Sequence, residues 1–190
     1  QGAGTFVRYR PPVRIRFSDY QLARDPGPGG PFERAMAAQG RDGYGELVTV
    51  EGQAASPHVA DRLEIPPGSP VIYRLRYMRD EGRTGPVMQI QRAWLPLDLF
   101  ASTKLAGREK VVEGTYAAMD AAGHGPARLT RVFWPRMPSD EEAAILGLGA
   151  GVPVQILERT TREASGRVVE YLLLVAAGDR NVFEDDLTPL

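Results

Sequence analysis

The sequence contains no cysteine, only two histidines and two lysines, and no long hydrophobic run. Without cysteine, disulfides, thiolate nucleophiles and cysteine-based zinc sites are excluded. His58 and His124 lie far apart in the chain, so we expect both to be structural or surface residues and expect no metal or other cofactor. No apolar stretch approaches the roughly 20 residues that a membrane-spanning helix needs. We therefore expect a cytoplasmic protein without a membrane partner.

The chain has 190 residues, of which 43% are apolar, and a formal charge of −1. A domain of about 150 residues buries roughly 68–70% of its unfolded surface, so this length supports one globular domain, with or without an arm. Arginine dominates the basic residues, and four arginines precede the first acid, Asp19. A basic arm followed by an acidic body suits nucleic-acid contact, although such an arm is about as often merely solvated.

Hydrophobic periodicity, turn residues and helix caps predict an α+β fold with a mainly antiparallel sheet and flanking helices. The predicted helices span residues 32–39, 57–63 and 110–122, with a further helix beginning at residues 138–142. The predicted strands span residues 47–53, 71–79, 88–95, 129–137, 154–162, 168–176 and 182–187. The Pro- and Gly-rich residues 24–31 are predicted to form a loop.

An internal repeat with a constant offset of 83 residues is the sharpest structural signal. Ala60, Leu63, Ile65, Gly68, Pro70, Val71 and Arg76 recur as Ala143, Leu146, Leu148, Gly151, Pro153, Val154 and Arg159. Each copy reads as a helix followed by a hairpin, so we expect two copies packed around a pseudo-two-fold axis with a crevice between them. Arg74 corresponds to Leu157, so one copy carries a charge where the other has an apolar residue. A buried arginine needs a partner.

The candidate binding residues follow from this crevice. Arg74 and Arg76 project from one face of a strand and suit a carboxylate or phosphate, although on spacing alone a solvated strand face with ordinary ion pairs is the commoner explanation. Gln91 and Glu170 lie on the second strand of each hairpin, where each can bind a hydroxyl or amine or satisfy an arginine. Gly114-Thr115 opens a helix, where free N–H groups favour an anion or bind only water.

Residues 63–76, 95–100, 138–143, 146–148, 151–154, 158–160, 169–171 and 178–180 resemble the UTRA effector-binding domain of GntR-type repressors, HutC subfamily. Residues 2–7 are similar to the closing strand of the winged-helix wing in these repressors. The resemblance divides the chain into residues 1–30, the end of a wing and a linker, and residues 31–190, an effector-binding and dimerisation domain. Because the chain starts at Gln1, we expect that a DNA-binding half precedes it. The wing and linker residues nearest DNA would be Gly4, Thr5, Arg8 and Arg10.

The resemblance implies a chorismate lyase-like fold whose crevice binds a small anionic effector and controls the DNA binding of a homodimer. By this resemblance, the effector-binding residues are Arg74, Arg76, Glu170, Gly114, Thr115 and Phe32, together with Gln91 and Ala176. The last two depart from the family pattern, which has an acid and an aromatic residue there. Since Leu172 and Leu174 flank this wall, we expect an effector larger and less polar than a phosphosugar.

Two alternatives to a sensor stay open at this point. The same fold could be a small lyase or isomerase for a carboxylated substrate, with Arg76 as clamp and Glu170 as general acid or base. It could also be a dimer with an empty crevice, if Arg74 is paired internally.

Overall fold

The computed structural model describes residues 11–17 and 30–185. The strands are β1 (Val13–Arg16), β2 (Tyr44–Ala54), β3 (Pro70–Arg79), β4 (Val87–Pro96), β5 (Arg128–Arg136), β6 (Val154–Arg162), β7 (Val168–Ala177) and β8 (Asn181–Glu184). The α-helices are α1 (Pro31–Ala37), α2 (Pro57–Leu63), α3 (Leu97–Phe100), α4 (Thr115–Ala121) and α5 (Asp140–Leu146). Short 3-10 turns span Gly82–Thr84 and Lys104–Ala106.

Six strands form an antiparallel sheet in the order β2-β3-β4-β7-β6-β5. Exchanging β2 with β5, β3 with β6 and β4 with β7 gives the same order, read from the other edge of the sheet. The helices α2 and α5 precede equivalent hairpins. At the centre, β4 pairs with β7 so that Arg92 lies opposite Leu173. The pseudo-two-fold axis passes through this pair. The α+β class, the antiparallel sheet and the internal repeat are therefore confirmed.

The two repeat helices begin at serine caps. The Ser56 side chain accepts a hydrogen bond from Val59 N at the start of α2. At the start of α5, Ser139 and Glu142 form a reciprocal capping box. Both helices pack on the same face of the sheet, where apolar clusters that include Leu63 and Leu146 are buried. This packing leaves the opposite sheet face to be covered by other elements.

That opposite face is covered by α1, α3, α4 and a two-stranded parallel ribbon of β1 and β8. In the ribbon, Val13 lies opposite Asn181 and Ile15 opposite Phe183. The sequence predicted residues 182–187 as an edge strand but gave no strand in the basic arm. The strand β1 was not predicted because its alternation of buried and exposed residues extends over only four positions. Its exposed residues Arg14 and Arg16 form ion pairs with Glu184 of β8. Gly4, Thr5, Arg8 and Arg10 lie outside the described residues.

The helix predicted over residues 110–122 was wrong at its start. The observed helix α4 begins at Thr115, and Gly114 precedes it with φ of 91° and ψ of 158°. That conformation is essentially restricted to glycine and cannot continue a helix. Residues 110–113 therefore form a loop over the sheet. No helix within the described ranges has the length and apolar character needed to cross a bilayer.

Candidate effector site

A cavity of about 110 Å³ opens on the sheet face opposite α2 and α5. The sheet side is lined by residues of β2, β3, β4, β6 and β7: Gly45, Leu47, Arg74, Arg76, Met78, Gln89, Gln91, Leu157, Arg159, Leu172 and Leu174. The covering side is lined by Ile15, Phe17, Gly30, Pro31, Phe32, Glu33, Lys110, Val111, Gly114, Thr115, Tyr116 and Phe183. Six of the eight predicted effector-site residues are thus brought together. Glu170 and Ala176 are not among the lining residues.

Arg74 is the most unusual charged residue of the cavity because its side chain is almost fully buried, with 3% exposure. Its Nη1 donates to the carbonyl oxygens of Leu105 and, at 3.1 Å, Gly107. Its Nε is buried without a hydrogen-bond partner among the described residues. Burial, and then the neighbouring Arg76, lower the pKa of Arg74 to about 10, while Glu170 opposes this shift. Arg74 therefore stays a cation at neutral pH but forms no ion pair with any described carboxylate.

Arg76 lies two residues further along β3 on the same face. Its Nη1 lies 3.3 Å from Thr115 Oγ1, the first residue of α4. Gly114, which adopts the positive φ, sets the entry of this helix against Pro31, whose Cδ would lie 3.4 Å from an added Cβ. The glycine thus lets the chain turn closely against α1 while placing the Thr115 hydroxyl next to Arg76.

Glu170 is fully buried and acts as an internal partner of a third arginine. Its Oε2 accepts hydrogen bonds from Arg159 Nη2 at 2.7 Å and from Thr161 Oγ1 at 3.1 Å. The Arg159 guanidinium lies 4.9 Å from the centre of the Tyr116 ring. Because the Glu170 carboxylate does not line the cavity, it is not placed where the lyase alternative needs a general acid or base.

Glu33 and Lys110 form an ion pair that belongs to the covering side of the cavity. Glu33 also accepts a hydrogen bond from the Gly45 N–H at 2.9 Å. Burial by itself would raise the pKa of Glu33, but the hydrogen bonds from Lys110 and Gly45 outweigh it and lower the pKa. The pair joins α1 to the loop before α4 across the sheet edge.

One part of the wall is apolar. Leu157, Leu172 and Leu174 form one side, and Phe32 on α1 contributes a buried ring. Ala176 is fully buried in the core beside this wall, without lining the cavity. The cavity combines a cationic end with an apolar side, which suits an amphipathic anion.

Sequence reasoning missed several lining residues, of which Gln89 and Arg159 matter most. The repeat could have identified both. Arg159 is the counterpart of Arg76, and the pairings Met78–Gln89 and Thr161–Glu170 make Gln89, not Gln91, the counterpart of Glu170. Glu33, Lys110 and Tyr116 carry no comparable signal, since they come from the covering segments. Among the described residues, no three His, Cys, Asp or Glu side chains form a group that could hold a metal ion.

Comparison with known proteins gives a consistent family. The model of the UTRA domain matches residues 38–181. An uncharacterized HTH-type transcriptional regulator of Streptomyces coelicolor is 33% identical over 198 residues, covering 98% of this chain and 71% of that protein.

Solved structures agree with this family assignment. A protein assigned to the GntR family of transcriptional regulators is 29% identical, with a TM-score of 0.80 over 97% of this chain and 74% of its own. PhnF from Mycobacterium smegmatis is 24% identical, with a TM-score of 0.75 over 94% of this chain and 73% of its own, and its effector domain alone also matches, with a TM-score of 0.70. The match to PhnF concerns the fold. The chain belongs to the UTRA domain family of GntR-type transcriptional regulators.

Proposed function

We propose that this chain is the effector-sensing and dimerising domain of a one-component repressor of the HutC subfamily, acting in the cytoplasm rather than as an enzyme. The observation that carries the proposal is the Arg74 guanidinium, which is buried beside the cavity and, within the described part of the chain, donates only to backbone carbonyl oxygens. A buried cation without a carboxylate carries a large desolvation penalty, which an anionic guest offsets. In this proposal, the bound anion is the ion-pair partner of the Arg74 guanidinium.

The effector class follows from the rest of the wall. Arg74 and Arg76 supply planar donors for a carboxylate or phosphate. Leu157, Leu172 and Leu174 offer no hydrogen bonds to the several hydroxyls of a sugar, so burying those hydroxyls there is unfavourable. We therefore assign a small anion with an apolar body as effector.

The ribbon of β1 and β8 supports a route from the cavity to DNA. Ile15 and Phe17 of the N-terminal arm and Phe183 of β8 line the cavity, and the Phe17 and Phe183 rings stack 5.5 Å apart. An effector that touches these side chains changes the stability of the docked arm. In this proposal the arm leads to a winged-helix DNA-binding domain, whose wing ends with Gly4 and Thr5 and whose linker carries Arg8 and Arg10.

An effector shifts such a switch only through its different affinities for two states, and couplings of about 1–3 kcal/mol are typical. The proposal therefore predicts that a saturating effector changes the affinity of the full gene product for its own promoter DNA by about 5- to 150-fold. Fluorescence anisotropy measures this change, and Arg74→Gln should abolish it. An unchanged response in Arg74→Gln would contradict the proposed site.

Isothermal titration calorimetry tests the ligand class directly. We expect 3-phenylpropanoate to bind the chain and Arg74→Gln to weaken its binding by about 10-fold or more, because a hydrogen bond to a charged group contributes roughly 1.5–3 kcal/mol. Arg128→Gln, on the exposed part of edge strand β5, is the matched control and should bind normally. Tight binding of glucosamine 6-phosphate with no binding of apolar acids would overturn the assigned class. Thermal melting establishes that each variant is folded.

A further inference from the structure

Three buried side-chain amides form a chain from the cavity into the core. Gln91 Nε2 donates to Gln89 Oε1 at 3.3 Å, and Gln89 Nε2 donates to Asn181 Oδ1 at 2.9 Å. Asn181 Nδ2 in turn donates to the carbonyl oxygens of Met88 at 3.1 Å and Ala177 at 2.9 Å. Gln91, Gln89 and Asn181 are 6%, 0% and 5% exposed. We call these three residues the amide relay.

The orientation of the relay is fixed at its inner end. The oxygen and nitrogen ends of an amide have nearly the same shape, so only their partners determine which way the group points. The Asn181 NH2 group faces two carbonyl oxygens, which can only accept, and therefore its Oδ1 must face Gln89. Gln89 must then present its NH2 group to Asn181 and its Oε1 to Gln91. Turning any one amide would oppose two donors or two acceptors, at a cost of about 1–3 kcal/mol for each group left unsatisfied.

The outer end of the relay faces the cavity. With one N–H of its NH2 group directed at Gln89, Gln91 retains Oε1 as its side-chain acceptor, and no described residue donates a hydrogen bond to that oxygen. Gln91 lines the cavity and is paired with Arg76 across β3 and β4. The cavity thus offers donors at its arginines and a fixed acceptor at Gln91.

Building on the proposed function, we infer that the relay makes Gln91 a specificity-determining acceptor, so the effector is an anion that also carries a hydroxyl or a neutral N–H group. A ligand with an ether oxygen or a carbonyl at this position would place an acceptor against Gln91 Oε1. Because Gln91 is uncharged, a neutral hydroxyl or N–H donor satisfies Oε1 without leaving a carboxylate charge unbalanced. In this inference, Arg74 and Arg76 bind the anionic group, and the relay determines that a hydrogen-bond donor of the effector lies next to Gln91.

Matched acids test this inference by calorimetry. The probes are 3-phenylpropanoate and its derivatives with a hydroxyl or a methoxy group at the ortho, meta or para position. We expect one hydroxylated acid to bind about fivefold or more tightly than both its unsubstituted and methoxy partners, the size of one neutral hydrogen bond. Gln91→Met should remove that advantage, so that the hydroxylated, methoxy and unsubstituted acids bind it with affinities within about twofold of one another. Gln53→Met on β2 is the control and should keep the advantage.

Gln89→Met separates the relay from simple contact with Gln91. Without Gln89 the Gln91 amide can turn, so the hydroxyl and methoxy acids should bind with affinities that differ by less than about twofold. Binding of the acids without any hydroxyl preference in the wild-type chain would overturn the relay and leave the proposed function standing. Failure of every acid to bind would overturn both.

Side-chain amide exchange in 15N-glutamine-labelled chain provides a readout without ligand. The Gln91 NH2 protons should exchange slowly and lose protection in Gln89→Met, and fast exchange in the wild-type chain would contradict the fixed orientation.

Discussion

The two copies of the helix-hairpin unit, α2–β3–β4 and α5–β6–β7, share one fold but differ in charge on the cavity face. The first copy places Arg74, Arg76, Gln89 and Gln91 there. The second places Leu157, Arg159, Glu170 and Leu172 at the equivalent positions, as the strand register shows. The first set carries two positive charges, and the second is neutral because Glu170 balances Arg159.

This difference distinguishes charges that are neutralised within the protein from charges that remain for a ligand. In the second copy, the acid and the arginine neutralise each other inside the core. The first copy has gained an arginine at position 74 and has an amide, Gln89, where the second has a carboxylate. Because both changes increase positive charge in the same half, they support a binding role for that half rather than a structural one.

The largest expected effect tests the self-neutralised copy. Glu170→Gln removes the carboxylate partner of Arg159 and leaves a buried cation, so we expect the free energy of unfolding to fall by about 3 kcal/mol. Gln89→Met removes only neutral hydrogen bonds at the equivalent position, and we expect a loss nearer 1 kcal/mol. Urea unfolding measures both. Equal losses would show that the two copies do not differ in how they balance charge.

A second prediction concerns the segment that places Thr115 beside Arg76. Gly114→Ala forces a non-glycine residue into a strained conformation, so we expect a loss of about 2 kcal/mol in the free energy of unfolding. Gly52→Ala on β2 is the control, because no heavy atom lies within 4 Å of an added Cβ and its φ is not in the left-handed region. Gly52→Ala should change stability by less than about 0.5 kcal/mol. A Gly114→Ala protein as stable as Gly52→Ala would contradict the role of this turn.

The helix caps of the two copies offer a smaller comparison. Ser139→Ala removes one half of the α5 capping box, whereas Ser56→Ala removes a single bond of 3.3 Å at the start of α2. We expect losses of about 1.5 kcal/mol for Ser139→Ala and about 0.5–1 kcal/mol for Ser56→Ala, measured by urea unfolding. The reverse order would mean that the capping box contributes no more than the single bond.

The smallest effect is a pH dependence confined to one copy. Hydrogen bonds from Arg136 lower the pKa of Glu142 against the opposing effect of burial, whereas the equivalent residue of α2, Val59, does not titrate. A lowered carboxyl pKa adds stability above the ordinary value of 4.5 that is lost as the pH falls through the folded-state pKa. Glu142→Gln should therefore be less stable than the wild-type chain at about pH 7, and the difference should shrink by about pH 3.5.

Urea unfolding at both pH values measures this difference. Glu141→Gln, an exposed acid in the same helix turn, is the control and should show little of the effect. A stability gap that stays constant with pH would contradict an ionised role for Glu142.

Much of the fold was predictable because its signals are local. The serine-proline start of α2 and the alternating hairpin strands are set by neighbouring residues, and their bounds were predicted to within one residue. The range 110–122 was wrong at the start of α4 because a helical pattern continues across Gly114, whereas the prediction that Gly114-Thr115 opens a helix agrees with the observed start. Strand β1 was missed because four residues carry too short a period to identify.

The candidate site also has a part that local sequence patterns predicted and a part that they did not. The Arg74 and Arg76 spacing and the substitution of Leu157 by Arg74 in the repeat pointed to the cationic wall. Contacts between residues distant in sequence decide the pairing of Arg159 with Glu170, the ion pair of Glu33 and Lys110 on the covering side, and the amide relay.

The sequence by itself determined the repeat, the antiparallel hairpins and the side of each strand on which the arginines lie, because the two-residue period of a strand fixes its faces. Only the tertiary structure decided which charges find partners. Glu170 lies opposite Thr161, two residues from Arg159 on the neighbouring strand β6. Asn181 reaches Gln89 from a position 92 residues further along the chain. Ion pairs and hydrogen bonds act over a few ångströms, so they are settled by how the elements pack rather than by spacing along the chain.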